Sequence, residues 1–216
     1  MRRRLIILGT SGFAREMEML AEEVNTREQR WDIFGFVGDS AADAGKKMGS
    51  ATVLGDDDWL LSQDFEADLM IGIGYPRVRA RVLRRYLDAG DRFGYPNFVH
   101  PTAVLSSRRV QLGVGNAVTA GCKFTCDIHC GNFNLFNLNT TVGHDCRIGS
   151  YNVLNPGVNV SGCVTIGDRV LVGTGCQILE HISVGSDCTL GASSLVRCIV
   201  PDGQTVVGVP ALPLTR

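Results

Sequence analysis

The chain has 216 residues, 44% of them hydrophobic, with 21 lysines and arginines against 22 aspartates and glutamates and a formal net charge of −1. That length suits one large domain or two small ones, with core enough to need no disulfide or metal staple, and the balanced charge gives no reason to expect a nucleic-acid or anionic-membrane partner. The apolar run "LIIL" behind three arginines is too short for a signal-peptide core or a membrane span and leads straight into glycine, so a cytoplasmic protein is expected.

In chain order, "RRRLIILGTSGFAREMEMLAEEV" reads as a buried strand, a glycine turn and a helix with apolar residues at Phe13, Met17, Leu20 and Val24. A second strand is expected at Trp31 to Val37, ending in "GDS". A third is "ADLMIGIG", followed by a helix in "YPRVRARVLRRYLDAG" whose Pro76 suits a first helical position. "RFGYPNFVHP" supplies a last short strand. This succession predicts a Rossmann-like α/β domain over residues 1–97, with the boundary near Tyr95 to His100 and a second domain over 98–216.

The turn "GTSG" falls short of the full GxGxxG fingerprint, and a lone GxxG is common where a strand turns into a helix. Its context gives it meaning. Gly9 and Gly12 flank a turn, with Ser11 and Phe13 beside them, whose helix N-terminus aims free N–H groups at whatever sits above the sheet, a place suited to phosphate. Asp39, after the second strand, has the chemistry to accept from a ribose or base, and Gly74 with Tyr75 would bound the same crevice. The plainer alternative is that these are ordinary turns of a small capping domain.

From His100 to Pro201 the chain falls into seventeen hexads without a slip of phase. Position one is usually Leu, Ile, Val or Phe, position two often Gly, and position five small or β-branched. A period of six fits neither a 3.6-residue helix nor simple strand alternation, but it suits short strands joined by tight turns, three sides to a coil, with positions one and five inward. At a strand spacing of about 4.8 Å, nearly six coils make a prism roughly 27 Å tall. The pattern is the hexapeptide signature of a parallel β-helix.

The register also sorts the cysteines, of which there are eight. The chain lacks a secretion signal and is not cysteine-dense, so reduced thiols are expected. The cluster "CKFTCDIHC" (Cys122, Cys126, His129, Cys130) lacks a CxxC pair, and Cys122, Cys146, Cys176 and Cys188 all fall at the inward fifth position. No metal is expected. Asn116, Asn134 and Asn152 share that position at intervals of eighteen, so an asparagine ladder should run up one side, amide donating to amide along the stack.

A small α/β domain opening "ILGTSGFARE", then "MIGIGYPRVR", then "VHPTA" leading into a hexapeptide β-helix that ends in "VVGVPA", resembles the sugar acyltransferases grouped around the sialic-acid O-acetyltransferases and the bacillosamine-pathway N-acetyltransferase. The resemblance covers essentially the whole chain. It implies a left-handed β-helix, against the usual right-handed rule for parallel crossovers, and acetyl-CoA lying along the coils at the cleft between neighbouring subunits of a homotrimer. It also implies a nucleotide-linked sugar held by the N-terminal domain.

The family's base is a histidine followed by an acid, which matches His144 and Asp145. An asparagine near the site in the N-acetylating branch matches Asn137, and the backbone amide for the thioester carbonyl maps to Gly162. Spacing supports the last of these, since 162 − 144 is 18, one full coil. CoA contacts carry over to Gly173, Ala192, Gly208 and Pro210. Two departures stand out: Val153 replaces a second histidine found in many relatives, and "LPLTR" replaces a lysine or arginine after "GVPA", leaving Arg216 as the nearest cation.

His100 reads as a boundary residue, and His129 and His181 as solvated residues on turns or outer faces. An imidazole at His144 would take the proton of a sugar ammonium as it attacks the thioester, with no covalent acyl-enzyme. Asp145 would orient it, and the Gly162 N–H would stabilise the oxyanion. The expected activity is N-acetylation of a nucleotide-linked amino sugar for bacterial glycan synthesis. The alternatives are a sugar O-acetyltransferase of the sialic-acid type, a non-catalytic β-helix scaffold, and, most remotely, a zinc carbonic anhydrase, which would need three converging histidines.

Overall fold

The computed structural model describes residues 2–214 and divides into two compact units. One runs to Gly74 and resumes from Val78 to Pro101; the other comprises Tyr75–Arg77 and the chain from Thr102 onward. Among the described residues no helix is long and apolar enough to cross a membrane.

The first unit is built from β1 (Arg3–Leu8), α1 (Gly12–Glu28), β2 (Trp31–Gly38), β3 (Lys47–Met48), β4 (Ala51–Asp56), α2 (Asp57–Ser62), β5 (Ala67–Ile71), α3 (Pro76–Leu87) and β6 (Phe93–Gly94). Its sheet runs β3-β4-β2-β1-β5-β6, parallel except for the β3–β4 hairpin. The order reverses between β1 and β5, so a crevice opens where their carboxyl ends diverge into Gly9–Ser11 and Gly72–Gly74. The apolar runs explain the centre: Leu5, Ile6, Ile7 and Leu69 are wholly buried, as strands covered by helices must be. The sequence reading passed over β3, β4 and α2. The half-buried pattern of β4 is weak, and α2 is a six-residue helix capped by the Asp56 carboxylate, which accepts from the Trp59 N–H at 2.9 Å.

The second unit is a left-handed parallel β-helix. Two- and three-residue strands stack into three sheets, typified by Thr141–Val142 on Asn159–Val160, Arg147–Ile148 on Thr165–Ile166, and Leu135–Phe136 on Val153–Leu154. Each of these residues pairs with the one eighteen positions on, which is one coil. Positions one and five fill the interior: Val142, Cys146, Ile148 and Val164 are buried, as are Cys122, Cys176 and Cys188. Burial pushes the Cys176 thiol up to about 12, so it packs as a small apolar group.

Position four turns each corner. From Gly115 to Ser193 every fourth position has a positive φ, and where it is not glycine it lies between 55° and 62°, as at Asn139, Asp145, Cys163 and His181. A left-handed residue at every corner lets the chain bend tightly between strands, and asparagine, aspartate and glycine bear that conformation best.

The asparagine ladder forms, but its bonds differ from those expected. Each side-chain oxygen accepts from the backbone N–H one coil above: Asn134 and Asn152 donate to Asn116 and Asn134 Oδ1, both at 2.9 Å, and Val170 to Asn152 Oδ1 at 2.7 Å. Each side-chain nitrogen donates to a glycine carbonyl, those of Gly131, Gly149 and Gly167. The amides therefore pair with backbone rather than with one another. A buried corner has to satisfy its peptide groups first, and the asparagine is the group that reaches them.

Candidate active site

His144 stands at the corner between the strands Thr141–Val142 and Arg147–Ile148. Gly143 makes the approach possible, since a Cβ there would lie 2.7 Å from the backbone nitrogen of Gly162 and the carbonyl carbon of Ser161. The coil above is tied on by the Cys163 N–H, which donates to the His144 carbonyl at 2.8 Å. The His144 ring lies over Gly162: a Cβ at Gly162 would meet Nε2 at 2.6 Å and Cε1 at 2.7 Å. Only a glycine admits the imidazole here.

The other ring nitrogen, Nδ1, is 2.8 Å from Asp145 Oδ2. An Nδ1–H donated to that carboxylate leaves the lone pair on Nε2, the atom over Gly162. Asp145 itself holds the left-handed corner, φ 60°. Both side chains are more than half exposed, 58% and 60%. Among the described residues none accepts a hydrogen bond from the Gly162 N–H. A base and an unspent donor thus sit side by side.

The remaining candidates on the β-helix gather at a different corner, between Leu135–Phe136 and Thr141–Val142 and the coils above them. Asn137 is buried there, its Oδ1 accepting from the Leu138 N–H at 2.8 Å. Gly173 lies two coils higher, since 173 − 137 is 36, and a Cβ on it would come 2.4 Å from the Ala192 nitrogen. Gly208 follows, donating to Ser194 Oγ at 3.0 Å, and Pro210 is in the exposed segment just after it. A single chain therefore unites His144, Asp145 and Gly162, and unites Asn137, Gly173, Ala192 and Gly208, but does not bring the two groups together. Val153 is a buried strand residue, and Arg216 lies outside the described residues.

In the α/β unit the turn after β1 is as tight as glycine allows. Gly9 has φ 116°, and a Cβ on it would strike the Gly72 carbonyl oxygen at 2.8 Å. A Cβ on Gly74 would lie 3.9 Å from Phe13 Cδ1, and Asp39 and Tyr75 are exposed. Ser11 caps α1 by backbone conformation only, its hydroxyl making no capping bond.

The sequence reading missed the cations beside this turn. Thr10, Ser11 and Gly12 share a cavity of about 400 Å³ with Arg15, Lys47, and the paired Lys46 and Asp43. The "GKK" run and the arginine one turn into α1 were the available signals. It also missed Arg79, fully buried in α3, whose guanidinium donates to the carbonyls of Ile73 at 3.2 Å and Ile71 at 3.4 Å and so holds the loop after β5. Burial pulls Arg79 down to about 9.

Of the "CKFTCDIHC" cluster, Cys122 and Cys130 point into the coil while His129 lies exposed outside it. His100, one residue before the end of the first unit, is buried and paired with Glu23 of α1. His181 is exposed at its corner.

A histidine with its carboxylate and an adjacent backbone donor, on the corner of a hexapeptide β-helix, defines the class of hexapeptide-repeat acetyltransferases. Residues 4–86 match the PglD N-terminal domain family. Perosamine N-acetyltransferase from Caulobacter crescentus (PerB), crystallised with CoA and GDP-perosamine, is 30% identical, with a TM-score of 0.84 over 98% of this chain and 97% of that one. It has also been crystallised after one histidine was replaced by asparagine or by alanine. The acetyltransferase domain of PglB from Neisseria gonorrhoeae, with acetyl coenzyme A, is 27% identical, with a TM-score of 0.88 over 99% of this chain and all of that one.

Serine acetyltransferase from Helicobacter pylori (strain J99) is 42% identical over 48 residues, 22% of this chain and 28% of that enzyme, and the Buchnera aphidicola enzyme matches over only 15% of its length. The chain thus spans well under a third of these curated relatives. It belongs to the hexapeptide-repeat sugar acetyltransferase family, whose members here are bound to CoA or acetyl coenzyme A.

Proposed function

We propose that the chain transfers acetyl from acetyl-CoA to the amino group of a nucleotide-linked amino sugar, by direct attack with His144 as general base. One observation carries this reading: His144 Nε2 lies over Gly162 while Nδ1 is held by Asp145 at 2.8 Å. As the sugar nitrogen attacks the thioester carbon, Nε2 takes its proton, a contribution of about 10²- to 10⁴-fold. Asp145 favours the imidazolium that results, and the unspent Gly162 N–H receives the developing oxyanion, worth about 3–4 kcal/mol for one well-placed donor. The thiolate of CoA leaves with the bonding pair and is protonated.

The nitrogen acceptor is supported by relatives named for N-acetylation of a GDP-linked amino sugar. For the nucleotide, support comes from the turns at Gly9, Ser11, Gly12, Phe13, Asp39 and Gly74, with the neighbouring cations at Arg15 and Lys47 suited to a diphosphate. The split of the β-helix candidates over two corners supports a homotrimer: a cleft between subunits can set one copy's His144 corner against another's Gly173, Ala192, Gly208 and Pro210, with CoA between them. A place in cytoplasmic glycan biosynthesis follows from such a substrate.

The test is an acceptor panel read by thiol release from acetyl-CoA. Amino sugars linked to a nucleoside diphosphate should release CoA; release only with hydroxyl sugars would make the chain an O-acetyltransferase. His144→Ala should lower turnover at least about a hundredfold while acetyl-CoA affinity is largely kept. Unchanged turnover in that variant would remove the base assignment.

A further inference from the structure

The His144 corner holds more than the transfer chemistry uses. Cys163 stands one coil above Asp145 at the same fourth position, 163 − 145 being 18, and the donor atoms of His144, Asp145 and Cys163 all lie within 4.8 Å of one another. Among the described residues this is the one such group of histidine, cysteine and carboxylate side chains. Cys163 is not a packing residue like the buried Cys122, Cys146, Cys176 and Cys188; it is a free, partly exposed thiol on the rim. Its φ is 58°, in a left-handed corner that favours glycine or asparagine. Neither packing nor backbone geometry asks for a thiol there.

Nitrogen, sulfur and oxygen donors in one cluster match the taste of a borderline-soft ion. Zinc binds imidazole, carboxylate and thiolate at about 2.0–2.3 Å in a tetrahedron, which spaces its ligand atoms about 3.3–3.8 Å apart. Three atoms already within 4.8 Å reach that spacing by small rotations of exposed side chains, the 2.8 Å contact of Nδ1 with Asp145 opening and Cys163 closing in.

We propose that His144, Asp145 and Cys163 form a binding site for a thiophilic divalent cation, with zinc as the type case, and that its occupancy switches the transferase off. The switch rests on the base role proposed for His144. The ion takes Nδ1, which already faces Asp145, one carboxylate oxygen and the Cys163 sulfur, with water in the fourth position. On binding, Cys163 gives up its thiol proton to solvent, Asp145 lends a carboxylate oxygen, and the imidazole keeps its proton by moving it from Nδ1 to Nε2. Nε2 then carries hydrogen where transfer needs a lone pair. This is an inhibitory site and not a requirement of the reaction.

Two readouts on the purified full-length protein test it. Cobalt, as a spectroscopic stand-in for zinc, should bring up a near-ultraviolet thiolate-to-metal absorption, and zinc should inhibit CoA release, both reversed by a chelator. Outer partners of a metal site are worth 10- to 100-fold in affinity, so loss of a direct ligand in Cys163→Ser should raise the inhibiting zinc concentration by about a hundredfold or more. Metal-free turnover of that variant should match the parent, and its melting curve shows that the fold is kept. Cys126→Ser, one coil below His144, should behave as the parent.

A cobalt band that survives Cys163→Ser, or equal zinc inhibition of parent and variant, overturns the proposal. The cobalt readout needs no turnover, so it judges the site even if the transferase reading fails, and that reading is judged by the acceptor panel in metal-free buffer.

Discussion

The two halves of the molecule solve the same problem, satisfying buried polar groups, on different length scales. In the β-helix the partner is always near in a fixed sense: Asn134 reaches a backbone N–H eighteen residues on and a carbonyl fifteen residues on, and Asn116 and Asn152 repeat the arrangement. In the α/β unit each buried polar group has its own distance to span. Glu18 accepts from Ser50, 32 residues away; Trp31 Nε1 donates to Asp68, 37 away; His100 meets Glu23, 77 away. A repeat turns tertiary contact into arithmetic, whereas a doubly wound sheet does not.

The sharpest way to break the contrast is to remove one rung of the ladder. Asn134→Ala strips two backbone groups of their partners, the buried Asn152 N–H and the half-buried Gly149 carbonyl. At about 1–3 kcal/mol for each unsatisfied group, the loss should be about 2–6 kcal/mol by denaturant unfolding. If the variant loses less than about 1 kcal/mol, the ladder is dispensable and interior packing alone holds the coils. Gly162→Ala should act differently: its methyl group would occupy the place of the His144 ring. Turnover should fall about a hundredfold as base and donor are forced apart, with unfolding nearly unchanged because the ring is exposed and can swing away.

The α/β unit has its own counterpart. The buried Glu18 carboxylate accepts from the Ser50 N–H at 2.9 Å and the Ser50 hydroxyl at 2.7 Å, pinning the β3–β4 turn to α1. Gly49 completes the fit, since a Cβ there would overlap Glu18. Glu18→Ala should cost about 1–3 kcal/mol. It should also weaken binding of a nucleoside diphosphate, because Lys47 rides on that hairpin. A calorimetric titration with unchanged affinity would separate the hairpin from the nucleotide crevice.

The same contrast decides what could be read from sequence. From Asn116 to Val200 the period of six placed the inward residues of the coils, buried at every first and fifth position, and it paired His144 with Gly162 by simple addition; Val104, at the fifth position of the first hexad, is instead exposed. Adding eighteen to Asp145 gives Cys163, so that neighbour was equally legible. The left-handed fourth position was also written in the chain, by Gly115, Gly121, Gly157 and Gly175 among Asp127, Asn139 and Asp187. The ladder's partners were not: side-chain chemistry suggested amide to amide, and the backbone's unmet bonds took precedence.

In the first half, β1, α1, β2, β5 and α3 follow from apolar pattern and turn chemistry. Residues 39–66 carry only short, half-buried elements whose form is set by packing on α1 and β2. Arg79 is the clearest limit: in a run of arginines nothing marks the one that turns inward to hold the Ile71 and Ile73 carbonyls.

A surface pair measures the smallest version of the comparison. Arg169 and Asp187 are again eighteen residues apart, and the guanidinium grips the carboxylate with two bonds of 3.0 and 2.8 Å. That grip holds the Asp187 carboxyl below its ordinary range. A depressed carboxylate stabilises the fold above its unfolded-state pKa and loses that contribution as pH falls through the folded value. Asp187→Asn should therefore cost about 0.5–1 kcal/mol at neutral pH, the worth of a well-formed exposed pair. The difference from the parent should shrink on acidification and in high salt, since both weaken the pair. A difference that grows in acid would mean that Asp187 acts through its packing on the coil rather than through its charge.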